Sequence, residues 1–130
     1  MEEKKKKILF VDDDKELCAF FIRALGMEGY EIICADNGDA AIEILKNSQE
    51  LNLAVIDFMM PFTTGWELVN YIREESKFKE LPIIIFTGLL VSEELLDKVK
   101  KDCFAILQKG DFDLEQFKKI VKEAIKSCEK

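Results

Sequence analysis

Five side chains in this sequence of 130 residues could act together on a charged ligand: Asp12, Asp13, Asp57, Thr87 and Lys109. Asp12 and Asp13 follow the apolar run Ile8-Leu9-Phe10-Val11, and Asp57 closes Leu53-Ala54-Val55-Ile56. Thr87 follows Ile83-Ile84-Ile85-Phe86, and Lys109 follows Phe104-Ala105-Ile106-Leu107-Gln108. A carboxylate at the end of an apolar run is costly to bury alone, so Asp57 calls for a partner cation or a reactive role. Three carboxylates brought to one edge repel one another unless some are protonated or a cation holds them. All-oxygen ligands select a hard ion, and Mg2+ suits a site with few carboxylates, retained waters and space for a phosphoryl oxygen. A lysine ammonium can offset phosphoryl charge, and a threonine hydroxyl can donate one hydrogen bond to it. The set suits phosphoryl transfer.

These residues can meet only if the apolar runs lie side by side. The run 8–11 reads as a buried strand, and the apolar residues of 17–25 recur at helical spacing until Gly26 and Gly29. The alternation continues with a strand over 30–35, a helix over 39–47, a strand over 53–57, a helix over 65–75 and a strand over 82–87. Ser92 can cap a helix carrying Leu95, Leu96 and Val99; 104–108 is a last strand; and Leu114, Phe117, Val121, Ala124 and Cys128 mark a closing helix. Strands that are apolar throughout, alternating with amphipathic helices, imply a parallel sheet covered on both faces, an α/β doubly wound three-layer sandwich. Ligands in such sheets bind beyond the carboxyl ends of the strands, where the strand order reverses. Asp14 reads as a helix N-cap, and the second strand ends without site chemistry at Asp36-Asn37.

Composition narrows the function. With 26 acidic against 19 basic residues the net charge is −7, which argues against nucleic acid or an anionic membrane as the main partner. Histidine is absent, which removes histidine triads, histidine–metal sites and a phosphohistidine of the chain's own. The scattered cysteines Cys18, Cys34, Cys103 and Cys128 form no Cys-x-x-Cys and read as reduced thiols of a cytoplasmic protein. The basic lead-in at Lys4–Lys7 precedes too short an apolar stretch for a signal peptide or membrane helix. One domain over 1–130 is expected, its core about 7–127, with no output domain after the last helix.

Taken together, Ile8-Leu9-Phe10-Val11-Asp12-Asp13-Asp14, Asp57-Phe58-Met59-Met60-Pro61 with Gly65 eight residues past the aspartate, Thr87-Gly88, and Lys109 resemble a family. It is the receiver domain of two-component response regulators, of the single-domain, chemotaxis-regulator kind. The resemblance implies a flavodoxin-like (βα)5 fold with strand order 2-1-3-4-5. It implies that Asp57 accepts a phosphoryl group from a phosphohistidine on a sensor histidine kinase or histidine phosphotransfer protein. Asp12, Asp13, Asp57 and the Met59 carbonyl would then hold Mg2+, with Asp12 acting mainly through a water, while Lys109 contacts the phosphoryl group. Thr87 would move toward the phosphoryl oxygens and change the surface made by the fourth helix, fifth strand and fifth helix, which meets a downstream protein. The chain would catalyse only its own phosphorylation and dephosphorylation.

The sequence departs from the family pattern at several places. Ile106 stands where the family usually carries the Tyr or Phe of the switch, and Phe104, two residues earlier, is a possible substitute. Lys109-Gly110-Asp111 replaces the usual Lys-Pro, so a trans bond or an altered loop is expected. Met59 and Leu89 occupy positions that modulate aspartyl-phosphate hydrolysis in the family, and their apolar bulk implies slow self-dephosphorylation. Leu89-Leu90-Val91 could form a hydrophobic staple or a partner contact. Two other readings compete: a pseudo-receiver that binds protein without phosphorylation, and a haloacid-dehalogenase-type phosphohydrolase using Asp12-x-Asp14. The latter lacks the expected Thr or Val at Glu16.

Overall fold

The computed structural model describes residues 5–47, 50–58, 65–88 and 92–128. Strand β1 (Lys6–Val11) leads into helix α1 (Lys15–Gly26), and β2 (Tyr30–Ala35) into α2 (Gly38–Asn47). Then follow β3 (Leu53–Ile56), α3 (Gly65–Glu74), β4 (Ile83–Thr87), α4 (Glu93–Lys100), β5 (Ala105–Gln108) and α5 (Leu114–Ser127). Every expected element is present, and those with expected bounds end within two residues of them.

The strands form one parallel sheet in the order β2-β1-β3-β4-β5. Parallel neighbours cannot be joined by a tight hairpin, so each connection must cross over a face, and each crossover carries a helix. Alternate residues of a strand face opposite ways, and the sheet shows both halves of that rule. Leu9, Val11, Ala54, Ile56, Ile83 and Ile85 face a core completed by α2 and α3 through Ala41, Leu45, Leu68, Val69 and Ile72. Ile8, Phe10, Val55, Ile84 and Phe86 face a second core completed by α1 and α5 through Phe21, Leu25, Phe117 and Val121. Phe21 is fully buried and meets Phe10, Phe86 and Phe117 with ring centroids 4.9 to 5.9 Å apart. Burying one such side chain is worth roughly 1.5–3 kcal/mol.

Register brings the carboxyl ends together. Val11 pairs with both Ala35 and Ile56, Ile56 with Ile85, and Thr87 with Gln108. From β1 the chain runs outward to β2 and then returns to the other side of β1 for β3. The crevice between β1 and β3 is therefore the switch point where such sheets bind ligands, and Asp12 and Asp57 flank it.

One expectation fails. The cysteines are not four separate thiols: Cys18 on α1 and Cys34 on β2 are joined as a disulfide, with Cα atoms 6.5 Å apart, while Cys103 and Cys128 take no part in that bridge. Sequence spacing offered no hint, because the pair meets only once α1 folds back on the sheet beside β2.

Candidate functional site

The two buried acids continue the sheet past its last paired residues. Asp12 N–H donates to the Ala35 carbonyl at 3.0 Å, and Asp57 N–H to the Val11 carbonyl at 2.9 Å. Backbone bonds on neighbouring strands thus fix both carboxylates at the crevice. Asp12 is 3% exposed, Asp57 5% and Thr87 2%, whereas Asp13 is exposed. Asp12, Asp13 and Asp57 can each offer an oxygen such that the three lie within 4.8 Å of one another. Asp14 stands apart from this set. Its side chain accepts from Glu16 N–H at 3.0 Å and Leu17 N–H at 3.1 Å, capping α1, while its own N–H donates to Asp12 Oδ1 at 3.0 Å. The second acid of the Asp-x-Asp reading is therefore engaged in the helix cap. Asn37 does the same for α2, accepting from Ala40 N–H at 2.8 Å, which accounts for the unreactive end of β2.

Lys109 begins a short 3-10 turn, Lys109–Asp111, that follows β5, and no cis peptide occurs among the described residues, in line with the expected altered loop. Its ammonium lies 2.6 Å from Asp12 Oδ2 and 3.3 Å from Asp57 Oδ2, with the side chain one-quarter exposed. Burial pushes the Asp12 carboxyl above its ordinary 3.8, outweighing the pull of Lys109 and of the Asp14 N–H in the other direction. Burial also pulls the Lys109 ammonium down, but contact with Asp12 and the charges of Asp12 and Asp57 outweigh it and leave Lys109 above its ordinary 10.5. The Asp12 contact is an ion pair without a well-directed hydrogen bond, so Asp12 Oδ2 is a buried oxygen with accepting capacity to spare. Among the described residues, one ammonium facing three carboxylates leaves the site negative. That excess, the unfilled oxygen and the oxygen-only donor set fit a hard divalent cation.

Gly65 has a steric reason to be glycine. A Cβ placed there falls 2.7 Å from the Asp57 carbonyl oxygen and 2.7 Å from Phe58 Cα, and its own N–H donates to the Phe58 carbonyl at 3.1 Å. Helix α3 thus starts directly against the end of β3 that carries Asp57. Gly88 is less constrained, since a Cβ there makes only ordinary contact with Lys109 at 3.5 Å.

The structure gathers Asp12, Asp13, Asp57 and Lys109 and places Thr87 at the end of β4, one strand over. Met59 and Leu89 lie outside the described residues, as does Leu90-Val91. Ile106 is half-buried on β5 and packs against the α2–α3 core, and Phe104 lies just before that strand and is 42% exposed. Two features escaped the sequence reading. The first is that Lys109 pairs most closely with Asp12. The second is Phe112, whose ring meets Phe20, Phe21, Phe86 and Phe117 with centroids 5.7 to 6.2 Å apart. An aromatic directly after a loop carries no periodic signal to reveal such contacts.

Comparison with known proteins agrees with this geometry. A family model described as the response regulator receiver domain matches residues 8–122. The probable transcriptional regulator ycf27 of Cyanophora paradoxa is 39% identical over 89 residues, which are 68% of this chain and 36% of that protein. The chain thus spans about a third of the length of that relative. The two-component response regulator ORR5 of Oryza sativa subsp. japonica is 30% identical over 88 residues, 68% of this chain and 66% of that one. Among solved structures, the chemotaxis response regulator CheY4 of Vibrio cholerae superposes with a TM-score of 0.82 at 27% identity, covering 93% of this chain and 99% of that one. The response regulator TrrA of Thermotoga maritima, solved in complex with Mg2+–BeF, gives 0.79 at 29% identity, covering 92% and 98%.

Proposed function

The chain belongs to the response regulator receiver domain family, and from that premise we propose that it is a phosphorylatable switch with Asp57 as acceptor. The observation that carries this reading is the buried Asp57 carboxylate at the sheet's switch point, with Asp12 and Asp13 oxygens within 4.8 Å and the Lys109 ammonium at 3.3 Å. A carboxylate oxygen of Asp57 attacks the phosphorus of a phosphohistidine on a sensor kinase or phosphotransfer protein. The phosphorus–nitrogen bond breaks, and its electron pair returns to the donor imidazole, which takes up a proton. The donor histidine is external, since this chain has none. Mg2+, held by Asp12, Asp13, Asp57 and the Met59 carbonyl, would supply positive charge against the phosphoryl oxygens. Lys109 already contacts both buried acids, so it can follow the growing negative charge without a new residue entering the site.

Phosphorylation replaces one negative charge with about two and adds strong acceptor oxygens. The Thr87 hydroxyl donates to one of them, and β4 passes the movement to its neighbour β5, where Thr87 is in register with Gln108. The surface of α4, β5 and α5 is then remodelled with Ile106 in the place of the usual aromatic, and a downstream protein reads the change. The chain turns over no separate substrate. The setting is the cytoplasm, and no helix among the described residues is long and apolar enough to cross a membrane. The net charge of −7 weighs against direct nucleic-acid binding by these residues, although relatives include transcriptional regulators.

Titration with beryllofluoride in the presence of Mg2+, followed by amide NMR, tests this reading. Saturable shifts at Thr87 and Lys109 are expected, and they should vanish in Asp57→Asn and without Mg2+. Shifts that persist in Asp57→Asn would remove Asp57 from its role.

A further inference from the structure

The Cys18–Cys34 pair lies against the loop that carries the acids. Cys18 is buried in the first turn of α1, its N–H donating to the Asp14 carbonyl at 3.1 Å. Cys34 is half-buried on β2, in register with Phe10, and its neighbour Ala35 accepts the Asp12 N–H at 3.0 Å. The pair therefore brackets Asp12-Asp13-Asp14: Cys18 itself bonds the backbone of Asp14, and the residue after Cys34 bonds that of Asp12. Their Cα separation of 6.5 Å falls within the range that a disulfide spans without moving the backbone. A cleft of about 390 Å³ opens on both cysteines and reaches Asp12, Lys15 and Asp36, so a small oxidant or reductant can approach. In the cytoplasmic setting proposed above, a bridge is seldom a permanent staple and is more often a sensor.

We propose that Cys18 and Cys34 form a reversible disulfide that clamps the acid-bearing loop between β1 and α1, tightening its hold on a divalent cation when oxidised. The cation part rests on the function proposed above; the clamp does not. Oxidation by a small disulfide proceeds in two balanced exchanges. The Cys34 thiolate, the more exposed of the two, attacks one sulfur of oxidised glutathione, and the first glutathione thiolate leaves. Deprotonated Cys18 then attacks the Cys34 sulfur of the mixed disulfide, and the second leaves. The two protein thiol protons end on the two glutathione thiolates, the protein losing two electrons and glutathione gaining them. Cys103 and Cys128 are spectators: they lie on other elements, and neither lines this cleft.

The whole chain is treated with oxidised glutathione and then with dithiothreitol, and read by peptide mapping, amide hydrogen exchange and thermal unfolding. Oxidation should link the peptides containing residues 18 and 34 and slow exchange at Asp14 and Cys18 by on the order of tenfold. It should also raise the midpoint by on the order of 10 °C, because the bridge closes a loop with a separation of 16 residues. Dithiothreitol should reverse all three effects, and Cys34→Ala should show none of them. The clamp is overturned if both thiols stay free, or if the link forms while exchange at the loop is unchanged. In a parallel calorimetric titration the oxidised form should bind Mg2+ several-fold more tightly than the reduced form. Equal affinities would overturn the coupling. Absence of Mg2+ binding in both forms would overturn the coupling and the phosphoryl reading together, leaving the clamp to be decided by exchange alone.

Discussion

Replacing Gly65 with alanine is a sharp test of how the fold positions the site. The added methyl would sit 2.7 Å from the Asp57 carbonyl oxygen and from Phe58 Cα, where ordinary contact begins at 3.4 Å. Both neighbours are backbone, and that backbone is pinned by the Asp57 N–H to Val11 carbonyl bond and by Gly65 N–H to the Phe58 carbonyl. Neither can rotate away, so α3 must withdraw by most of an ångström or the end of β3 must bend. Overpacking of this kind costs about 1–3 kcal/mol, against a helix-propensity gain of under about 1 kcal/mol at the first residue of a helix. The net loss of about 1–2 kcal/mol corresponds to a midpoint lower by roughly 3–10 °C in thermal unfolding followed by circular dichroism. Gly26→Ala is the matched control, since an added methyl at Gly26 would meet nothing within 4 Å and the residue is not at positive φ. A Gly65→Ala midpoint equal to that of Gly26→Ala would refute the close approach of α3 to Asp57.

Four further outcomes follow from the same site. Asp13→Asn removes an exposed charge from a crowded set without touching the Lys109 contacts, so the metal-free midpoint should rise by a few degrees, about 2–5 °C, while calorimetric Mg2+ affinity falls at least about tenfold. Lys109→Met leaves two buried acids without their cation and should cost the metal-free protein about 1–3 kcal/mol in urea unfolding at neutral pH, with added Mg2+ restoring part of it. The Asp12 carboxyl is raised in the folded state, so the fold binds its proton more readily than the unfolded chain does. The stability contributed by this group therefore declines as pH climbs from 3.8 through the folded value, and metal-free Asp12→Asn should gain on the parent across that window in a pH series of midpoints. Met59→Asn should shorten the lifetime of the phosphorylated protein, measured as phosphate release, if apolar bulk there obstructs the attacking water.

Much of the fold was legible because parallel strands covered on both faces read as short continuous apolar runs, and Ile8–Val11 and Ile83–Phe86 are such runs. The gathering of the acids at one edge of the sheet was legible for a related reason. Carboxylates placed where apolar runs stop, as at Asp12 and Asp57, have few roles other than binding or reaction. What stayed hidden depended on contacts between elements. The approach of Cys18 to Cys34 depends on the packing of α1 beside β2, and the closer pairing of Lys109 with Asp12 than with Asp57 depends on the turn after β5. Cys103 is a further case: burial pushes its thiol up to about 12, although its sequence neighbours Asp102 and Phe104 give no sign of that burial. The place of Ile106 was legible, but its consequence was not, because a half-buried aliphatic on β5 has no hydroxyl to report a switch.

Asp57 is proposed to take up a phosphoryl group with Mg2+ as its helper. Intact-protein mass measured after incubation with acetyl phosphate and Mg2+ tests it most directly, with Asp57→Asn and a chelator-treated sample run alongside. One added phosphoryl group on the parent chain, and none on either control, is the predicted result. An adduct of the same mass on Asp57→Asn, or no adduct on the parent chain from either acetyl phosphate or a phosphorylated histidine donor, would contradict it.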